Sequence, residues 1–426
     1  MSDIELRVKH TQVAPDLHGG GATLSRRDWI LLPMLSLLTI LLMVISTKWL
    51  AGRMFHTSTS TTSGCLILND PSTGVRAIPH TVCSEKAYES ELVEYRFNNR
   101  GHRAGIEYGP KLPGTYRIVM VGSSFNYGMF VSREKSFAAL LPEELTKKTG
   151  RRVELYNEAM QWGFPASAAL RFHQALEAQP DMILWVLTPT DIASSSVLLP
   201  YVGPPNSVHE ESSLAKKMHR IKVAFATTSV PMAIESVWND EIATSWNRRI
   251  DSLREAPSGF LLQHILYVSQ SLYVKSYLTG NDSEEGFLSA VPSAEWRSNL
   301  RQFDIDAAQI EGQAKAAGVP FVAVLVPNRA QAAMISMGEW PAGLDPGKLD
   351  EEVRSIITNH GGTYIDVLPD FRSIPNPERH YFPVDGHPDA GGHAMISEML
   401  AKELTGGAVP ALNRTLTTQV SLGESR

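Results

Sequence analysis

Strand-like and helix-like segments alternate along the chain after Gly114. Short, continuous apolar runs predict buried strands at residues 117–121, 153–156, 182–187, 321–326 and 364–367. Segments with apolar positions on one helical face predict helices at residues 136–148, 166–178, 300–317, 349–359 and 392–404. This alternation predicts an α/β fold, in which helices cover both faces of a parallel sheet and ligands bind at the carboxyl ends of the strands.

The alternation stops in an insertion at about residues 195–296. Three segments inside it, 214–225, 231–244 and 259–278, have helical patterns. The last segment is apolar but is interrupted by four polar side chains, which are Gln263, His264, Gln270 and Lys275. We interpret this segment as a helix that caps the sheet. A second membrane contact is the alternative, which those polar side chains disfavour because they are costly in lipid.

A run without charged residues, 29–47, lies near the N-terminus. At about 1.5 Å per residue it just crosses the roughly 30 Å of a hydrocarbon core, so it predicts one transmembrane helix. Arg26 and Arg27 flank it and favour a cytoplasmic tail, residues 1–28, with the main domain outside the cytoplasm, which is the periplasm if the source is a Gram-negative bacterium. Residues 25–31 also resemble a twin-arginine export signal. Because no small-residue cleavage site follows the run, an uncleaved anchor is the simpler interpretation.

Residues 48–113 contain turn signals and few long apolar runs, which predicts an irregular stalk or an N-terminal cover of the main domain. The main domain is expected at residues 114–405, followed by a C-terminal tail at 406–426. Both cysteines of the chain, Cys65 and Cys83, lie in the stalk. In an oxidising compartment they would form a disulfide across about 18 residues, worth roughly 3 kcal/mol in the chain-entropy model. Two free buried cysteines are the alternative.

Composition narrows the classes of function. The 426 residues, 43% of them hydrophobic, are enough for a large buried core. The net charge is −6 and the pI is near 6.1, and no cluster of lysine and arginine is interleaved with aromatic residues. Nucleic acid is therefore not an expected partner, since the chain offers no basic field for a polyanion. No cofactor is implied.

Two short segments carry the groups that nucleophilic catalysis needs. Ser124 follows an apolar run in a turn between two glycines, Gly122 and Gly128, and Asp385 stands two residues before His387. A serine hydroxyl is a weak nucleophile unless a base takes its proton, and that base works best when a third group fixes its tautomer. We therefore interpret the two segments as parts of one catalytic site.

The two segments resemble sequence blocks of the SGNH/GDSL hydrolases. Residues 117–128, RIVMVGSSFNYG, resemble the first block, roughly R-I-x-x-x-G-D-S-F-x-x-G, and residues 385–388, DGHP, resemble the last block, D-x-H. The resemblance covers about residues 94–405 without the insertion. It implies a flavodoxin-like, three-layer α/β/α fold with Ser124 as nucleophile, His387 as general base and Asp385 as the acid that orients it. Asp366, at the end of the last predicted strand, is the alternative acid.

The middle blocks depart from the family pattern. Family members place a glycine after the second strand and G-x-N-D after the third, and these groups join the nucleophile's amide in stabilising the oxyanion. Here Ala159, or alternatively Gly163, takes the glycine's place, and Thr190 takes that of the asparagine. The resemblance therefore implies an oxyanion hole of Ser124, Ala159 and Thr190. Loss of one donor costs about 10²- to 10³-fold in kcat. In addition, Ser123 replaces the family's usual aspartate.

A metal site is the alternative use of the region around His387. Five side chains there are of types that bind zinc, namely His380, Asp385, His387, Asp389 and His393. Their crowding on one turn argues against convergence on one ion, and His393 is expected to pack inside the domain. No metal is predicted.

The resemblance implies an esterase that cleaves a small acyl group, most simply acetyl, through an acyl-Ser124 intermediate. Membrane-anchored members of the family often modify envelope or exported polysaccharides. A carbohydrate ester is thus the expected substrate, and envelope polysaccharide machinery an expected partner. Tyr127 and Trp162 are candidates for stacking on a sugar ring. A polysaccharide O-acyltransferase and a catalytically inactive glycan-binding or assembly protein of the same fold are the alternatives.

Overall fold

A parallel sheet lies at the centre of the protein, and two small antiparallel sheets precede it in the chain. The computed structural model describes residues 27–55, 58–70, 74–195, 257–279 and 285–413. In chain order, the strands are β1 (Thr59–Ser60), β2 (Leu66–Asp70), β3 (Gly74–Ala77), β4 (Val82–Lys86), β5 (Val93–Arg96), β6 (Tyr116–Gly122), β7 (Val153–Asn157), β8 (Met182–Leu187), β9 (Phe321–Leu325) and β10 (Thr363–Ile365).

The central sheet has the strand order β10-β9-β8-β6-β7, and all of its pairs are parallel. Numbered by their appearance in this sheet, its strands follow the flavodoxin-like order 2-1-3-4-5. Every residue of β6, β8 and β9 is buried, as expected of strands covered on both faces. The predicted α/β fold class is confirmed. Its switch point, where ligands bind in such folds, lies between the carboxyl ends of β6 and β8.

Helices of the main domain cover both faces of this sheet. In chain order, the α-helices of the described residues are α1 (Asp28–Met54), α2 (Ser124–Tyr127), α3 (Phe137–Thr149), α4 (Pro165–Glu177), α5 (Pro189–Ala193), α6 (Pro257–Tyr267), α7 (Gln270–Thr279), α8 (Ala294–Ala316), α9 (Arg329–Met337), α10 (Lys348–His360), α11 (Leu368–Ser373) and α12 (Ala390–Glu403). Apolar side chains of α3 and α12 fill the core on one face. Those of α4, α8 and α10 fill it on the other.

The structure modifies the predicted insertion. Its predicted helices at 214–225 and 231–244 lie outside the described residues. The segment predicted as one helix, 259–278, forms the two helices α6 and α7, which are separated at Val268 and Ser269. Of its apolar residues, Leu261, Tyr273 and Val274 are buried.

Helix α1 contains the predicted membrane span and continues beyond it to Met54. Among the described residues, it is the one helix whose length and composition would allow it to cross a membrane. Large apolar side chains are exposed along it, from Trp29 to Met54. Its 27 residues correspond to about 40 Å, more than the roughly 30 Å of a hydrocarbon core.

The segment between α1 and β6 is more regular than its turn-rich sequence predicts. It forms a sheet of β1, β4 and β5 and a hairpin of β2 and β3. We call this whole segment, between α1 and β6, the cover. Cys65 and Cys83 form the expected disulfide inside the cover, with their Cα atoms 6.2 Å apart. Buried residues of the cover pack against Ala159 and Met160 of the main domain. The cover therefore shares a core with the loop that follows β7.

Replacement of both cysteines, Cys65→Ser with Cys83→Ser, should lower the free energy of unfolding by about 3 kcal/mol, because the unfolded chain loses a closed loop. Urea unfolding of the full-length protein in detergent measures this difference. A reductant should bring the wild type to the stability of the double variant and leave the variant unchanged. A wild type that is insensitive to reductant under unfolding conditions would refute the stabilising role of the bridge.

Candidate active site

Ser124 is the first residue of α2 and is separated from the end of β6 by Ser123 alone. The turn requires glycine at position 122, where φ is +153° and a Cβ atom would lie 2.2 Å from Asn126 Nδ2. Asn126 occupies that space and donates to Val121 O at 2.9 Å and to Val186 O at 3.2 Å. This side chain thus joins the carboxyl ends of β6 and β8 beneath Ser124.

A buried arginine holds the chain that follows Ser124. Arg103 is 2% exposed and donates to three backbone carbonyls, those of Tyr127 at 2.8 Å, Gly128 at 2.6 Å and Val131 at 2.6 Å. Its guanidinium also lies 4.5 Å from the ring centre of Tyr95 in the cover. Charge-assisted hydrogen bonds of this kind are stronger than neutral ones. Arg103 therefore fixes the turn behind α2.

The structure brings Ser124, His387 and Asp385 together. Ser124 Oγ lies 2.8 Å from His387 Nε2, and His387 Nδ1 lies 2.6 Å from Asp385 Oδ1. The same carboxylate oxygen accepts the backbone N–H of His387 at 3.0 Å, in a turn where Gly386 has a φ of +85°. With Nδ1–H donated to Asp385, the lone pair of Nε2 faces the serine hydroxyl. The arrangement can therefore remove the proton of Ser124.

Two aromatic rings flank His387. The ring centre of Phe125 lies 5.3 Å from that of His387, and Phe130 meets the imidazole edge-on at 5.6 Å. The His387 side chain remains 19% exposed and that of Asp385 27% exposed. The rings therefore limit the rotation of the imidazole while the site stays open to solvent.

Asp366, the alternative acid, and Asp389 and His393, two of the potential metal ligands, have other partners. Asp366 pairs with Arg354 at 2.5 Å and accepts the N–H of Leu368, so it is not part of this cluster.

Asp389 caps α12 by accepting the N–H of Gly392 at 2.9 Å. His393 is fully buried, which lowers its pKa to about 3, and its Nδ1 accepts the N–H of Phe137. Within the described ranges, no group of three potential ligands is placed to hold a metal ion.

The predicted oxyanion donors Ala159 and Thr190, and the alternative Gly163, differ in whether their groups are already hydrogen-bonded or line a cavity. The N–H of Ala159 donates to Asn157 Oδ1 at 3.1 Å, and the N–H of Gly163 donates to Met160 O at 2.9 Å. Both amides are therefore engaged, because the loop after β7 folds back on itself. Thr190 lies in the first turn of α5, at the carboxyl end of β8, where it lines a cavity of about 190 Å³ together with Asn328.

A buried carboxyl group lies behind the nucleophile. Asp191 Oδ2 accepts the N–H and the hydroxyl of Thr188 at 2.7 and 2.8 Å, which closes a capping box at the start of α5. Burial raises the pKa of Asp191 to about 6, against hydrogen bonds from Ser123 and Thr188 that favour the charged form. Ser123, which replaces the family's aspartate, thus faces a carboxyl group of the neighbouring loop.

Of the two residues expected to stack on a sugar, only Trp162 is available. Tyr127 is 1% exposed, because its ring packs against Tyr95 at 5.1 Å and Phe97 at 6.4 Å in the cover. The expectation that Tyr127 contacts substrate is not supported. Trp162 is 40% exposed in the loop after β7, with a φ of +60°.

Glu89 is a residue at this site that sequence reasoning missed. Its side chain is 3% exposed and accepts the backbone N–H groups of Val384 and Asp385, both at 3.0 Å. His264 Nδ1 of α6 lies 2.8 Å from its other oxygen. One carboxylate of the cover therefore anchors the turn that carries Asp385. No sequence signal indicated it, because it stands almost 300 positions before its partners in an irregular, polar segment.

Comparisons with known proteins give a limited picture. No protein-family model and no curated protein matches the chain. Among solved structures, it is similar to TesA, with 10% identity, a TM-score of 0.35 and coverage of 68% of this chain and 98% of that one. It is also similar to LAE5, an alpha/beta hydrolase enzyme from the metagenome of Lake Arreo, with 14% identity, a TM-score of 0.34 and coverage of 70% and 96%. The psychrotrophic esterase EstA from Pseudoalteromonas sp. gives 8% identity, a TM-score of 0.33 and coverage of 68% and 96%. Since these TM-scores are below 0.5, only this chain's own residues can indicate its function.

Glu89→Gln should slow the reaction of Ser124 by roughly 10- to 100-fold, since misplacing a catalytic group by about 1 Å has costs of this size. The substitution keeps the shape of the side chain but turns an NH₂ group toward the donors of the loop or of His264. The labelling rate of Ser124 by a fluorophosphonate measures the effect. Glu91→Gln, an exposed neighbour, is the matched control and should label at the wild-type rate. Equal rates for Glu89→Gln and wild type would refute the positioning role.

Proposed function

We propose that this protein is a membrane-anchored serine esterase of the SGNH type that removes small acyl groups, such as acetyl, from a carbohydrate outside the cytoplasm. The observation that carries the proposal is the unbroken hydrogen-bond chain from Ser124 Oγ through the His387 imidazole to Asp385, with distances of 2.8 and 2.6 Å. Three such groups in series, at the carboxyl edge of a parallel sheet, are what activation of a serine requires.

The geometry supports a two-step acyl transfer. Ser124 Oγ attacks the ester carbonyl while His387 Nε2 takes its proton, and Asp385 stabilises the imidazolium that forms. Collapse of the tetrahedral intermediate breaks the bond to the alcohol oxygen, which receives the proton from His387. A water molecule, deprotonated by the same nitrogen, then attacks the carbonyl carbon of acyl-Ser124. The bond from that carbon to Oγ breaks, Oγ takes the proton back from His387, and the carboxylic acid is released.

The disulfide and α1 support a location outside the cytoplasm. The Cys65–Cys83 bridge of the cover is of a kind that persists in oxidising compartments. The length and composition of α1 suit a single membrane anchor, with the cover and the main domain on its C-terminal side. Envelope polysaccharide machinery is the corresponding proposed partner.

A carbohydrate is supported by the resemblance of the sequence blocks and by one residue at the site. Trp162 presents an exposed indole on a loop that contacts the nucleophile's turn, where a Cβ on Gly163 would lie 2.5 Å from Gly122 O. An aromatic face with one polar edge suits the apolar face of a sugar ring.

A catalytically inactive glycan-binding protein is the second candidate. The observation that favours it is the engagement of the Ala159 N–H by Asn157, which leaves the oxyanion with fewer free donors than the family pattern implies. Acyl transfer to a glycan is a variant of the first candidate, because it uses the same acyl-Ser124 and replaces water by a sugar hydroxyl.

A fluorophosphonate probe should label Ser124 in the full-length protein, and Ser124→Ala or His387→Ala should abolish labelling. Both variants should also lower kcat for an aryl acetate by about 10³-fold or more, because the members of such a triad act as a unit. Peptide mapping identifies the labelled residue. Ser355→Ala, at an exposed serine on α10, is the control and should react as the wild type does.

The outcomes separate the candidates. Full activity of Ser124→Ala would refute the assigned nucleophile. A wild type that binds glycan but neither reacts with the probe nor releases acetate would favour the inactive binding protein. Acyl transfer to an added oligosaccharide at a rate well above acetate release would identify a transferase.

A further inference from the structure

Helices α6 and α7 expose an unusual apolar surface. Residues 257–274 contain no Asp, Glu, Lys or Arg. Five large side chains project from this stretch, each between 41% and 58% exposed, and we call them the hairpin face: Leu262, Ile265, Leu266, Val268 and Leu272. Contiguous exposed apolar surface on a soluble protein usually marks a contact with another protein or a membrane.

Two of the four polar side chains that disfavoured a membrane contact, His264 and Gln270, are turned toward the protein, and the exposed Lys275 follows the apolar stretch. His264 pairs with the buried Glu89 at 2.8 Å, and Gln270 Nε2 donates to Glu378 Oε2 at 3.0 Å. Tyr273 is buried with its ring centre 3.7 Å from the guanidinium carbon of Arg329. Two faces are therefore segregated along these helices, one that binds the main domain and one that is apolar and exposed, as in helices that lie in a membrane interface.

The last turns of α1 pack directly on α6. Ala51 and Phe55 are buried against Leu261, and the ring centres of Phe55 and Phe260 are 5.0 Å apart. Because α1 is about 40 Å long, a span of roughly 30 Å that starts near Trp29 ends shortly before this contact. Trp49 and Arg53, of types that favour the membrane interface, lie on the same turns. The hairpin face therefore begins at the level where α1 would leave the bilayer.

We propose that the hairpin face lies in the interface of the bilayer that α1 spans, so that α6 and α7 form a second, monotopic contact with lipid. This inference rests on the membrane anchoring included in the proposed function. Because the face is continuous with α1 and carries no charge, a lipid surface suits it better than a polar partner does.

The contact has a consequence for the active site. His264 stands on α6 opposite Leu262 and Ile265, and its partner Glu89 holds the N–H groups of Val384 and Asp385. The loop that carries the catalytic acid is therefore two hydrogen bonds away from the lipid-facing helix. The site is held close to the membrane surface, within reach of substrates at that surface.

Site-specific fluorescence in nanodiscs tests the contact. Because both native cysteines are paired, single cysteines can be introduced into the full-length protein and labelled with an environment-sensitive nitrobenzoxadiazole dye. Leu262→Cys and Leu266→Cys report on the hairpin face, and Leu38→Cys reports on α1. Ile305→Cys, 60% exposed on α8, is the matched control away from the face. The nanodiscs contain phosphatidylcholine with or without a nitroxide on its acyl chain.

The dyes on the hairpin face and on α1 should emit at shorter wavelengths and lose intensity with the nitroxide lipid, whereas the dye at position 305 should do neither. A blue shift at 262 and 266 without quenching would mean that protein covers the face, either another part of the chain or a second copy, and would overturn the inference. Quenching at 38 alone would overturn it and leave the anchor intact. Absence of quenching at position 38 would refute both the membrane anchor and this inference. Fluorophosphonate labelling of Ser124 would still test the esterase separately.

Discussion

The direction of the chain in its parallel sheet is the constraint on which the active site depends. All strands of the sheet end at the same edge, so loops that are distant in sequence meet there. Ser124 follows β6, the strand between β7 and β8, and the loop before α12 brings His387 to 2.8 Å from it. Every residue of β6 is buried, with alternate side chains packed on the two faces of the sheet, so a shift of its register would disrupt both cores and displace Ser124. The packing of the core therefore fixes the position of Ser124.

The other half of the site has no such support from regular structure. Between α11 and α12, the chain forms one short 3₁₀ turn at Pro377–His380 and then a tight turn that is closed by an isolated antiparallel bridge between Tyr381 and Pro388. Its backbone groups find partners in side chains from elsewhere: Glu89 accepts from Val384 and Asp385, and Arg329 donates to the carbonyls of Glu378 and Pro383. Buried backbone groups need such partners, and here the partners also determine where the acid of the site stands. The cover is therefore a structural part of the site.

Local patterns made the fold and the central cluster predictable, and long-range contacts limited the rest. The strand and helix alternation requires only neighbouring residues, and the pairing of Ser124 with His387 was indicated by their chemistry and by the resemblance of two sequence blocks. The burial of Tyr127 could not be predicted, because its direction depends on packing against Tyr95 of the cover, which no local pattern encodes. The engagement of the Ala159 amide likewise depends on how a loop folds back. The break of the segment 259–278 into two helices lacks a proline or glycine signal at the break, and tertiary contacts of Gln270 and Tyr273 hold it.

The candidate site has a complete hydrogen-bond chain for proton transfer but few free donors for an oxyanion. This difference affects which kind of bond the proposed enzyme could cleave. In the proposed mechanism, the hydrogen-bond chain from Ser124 to Asp385 lowers the cost of deprotonating the serine hydroxyl. Charge on the carbonyl oxygen must still be stabilised, and each missing donor raises the barrier by about 3 to 4 kcal/mol. An ester carbonyl is more reactive than an amide carbonyl, and an alkoxide leaves more easily than an amine anion, so an ester tolerates this deficit better. With the amides of Ala159 and Gly163 engaged, the proposed ester substrate fits this arrangement better than a peptide does. Peptide hydrolysis would require donors that the folded loop after β7 has already used.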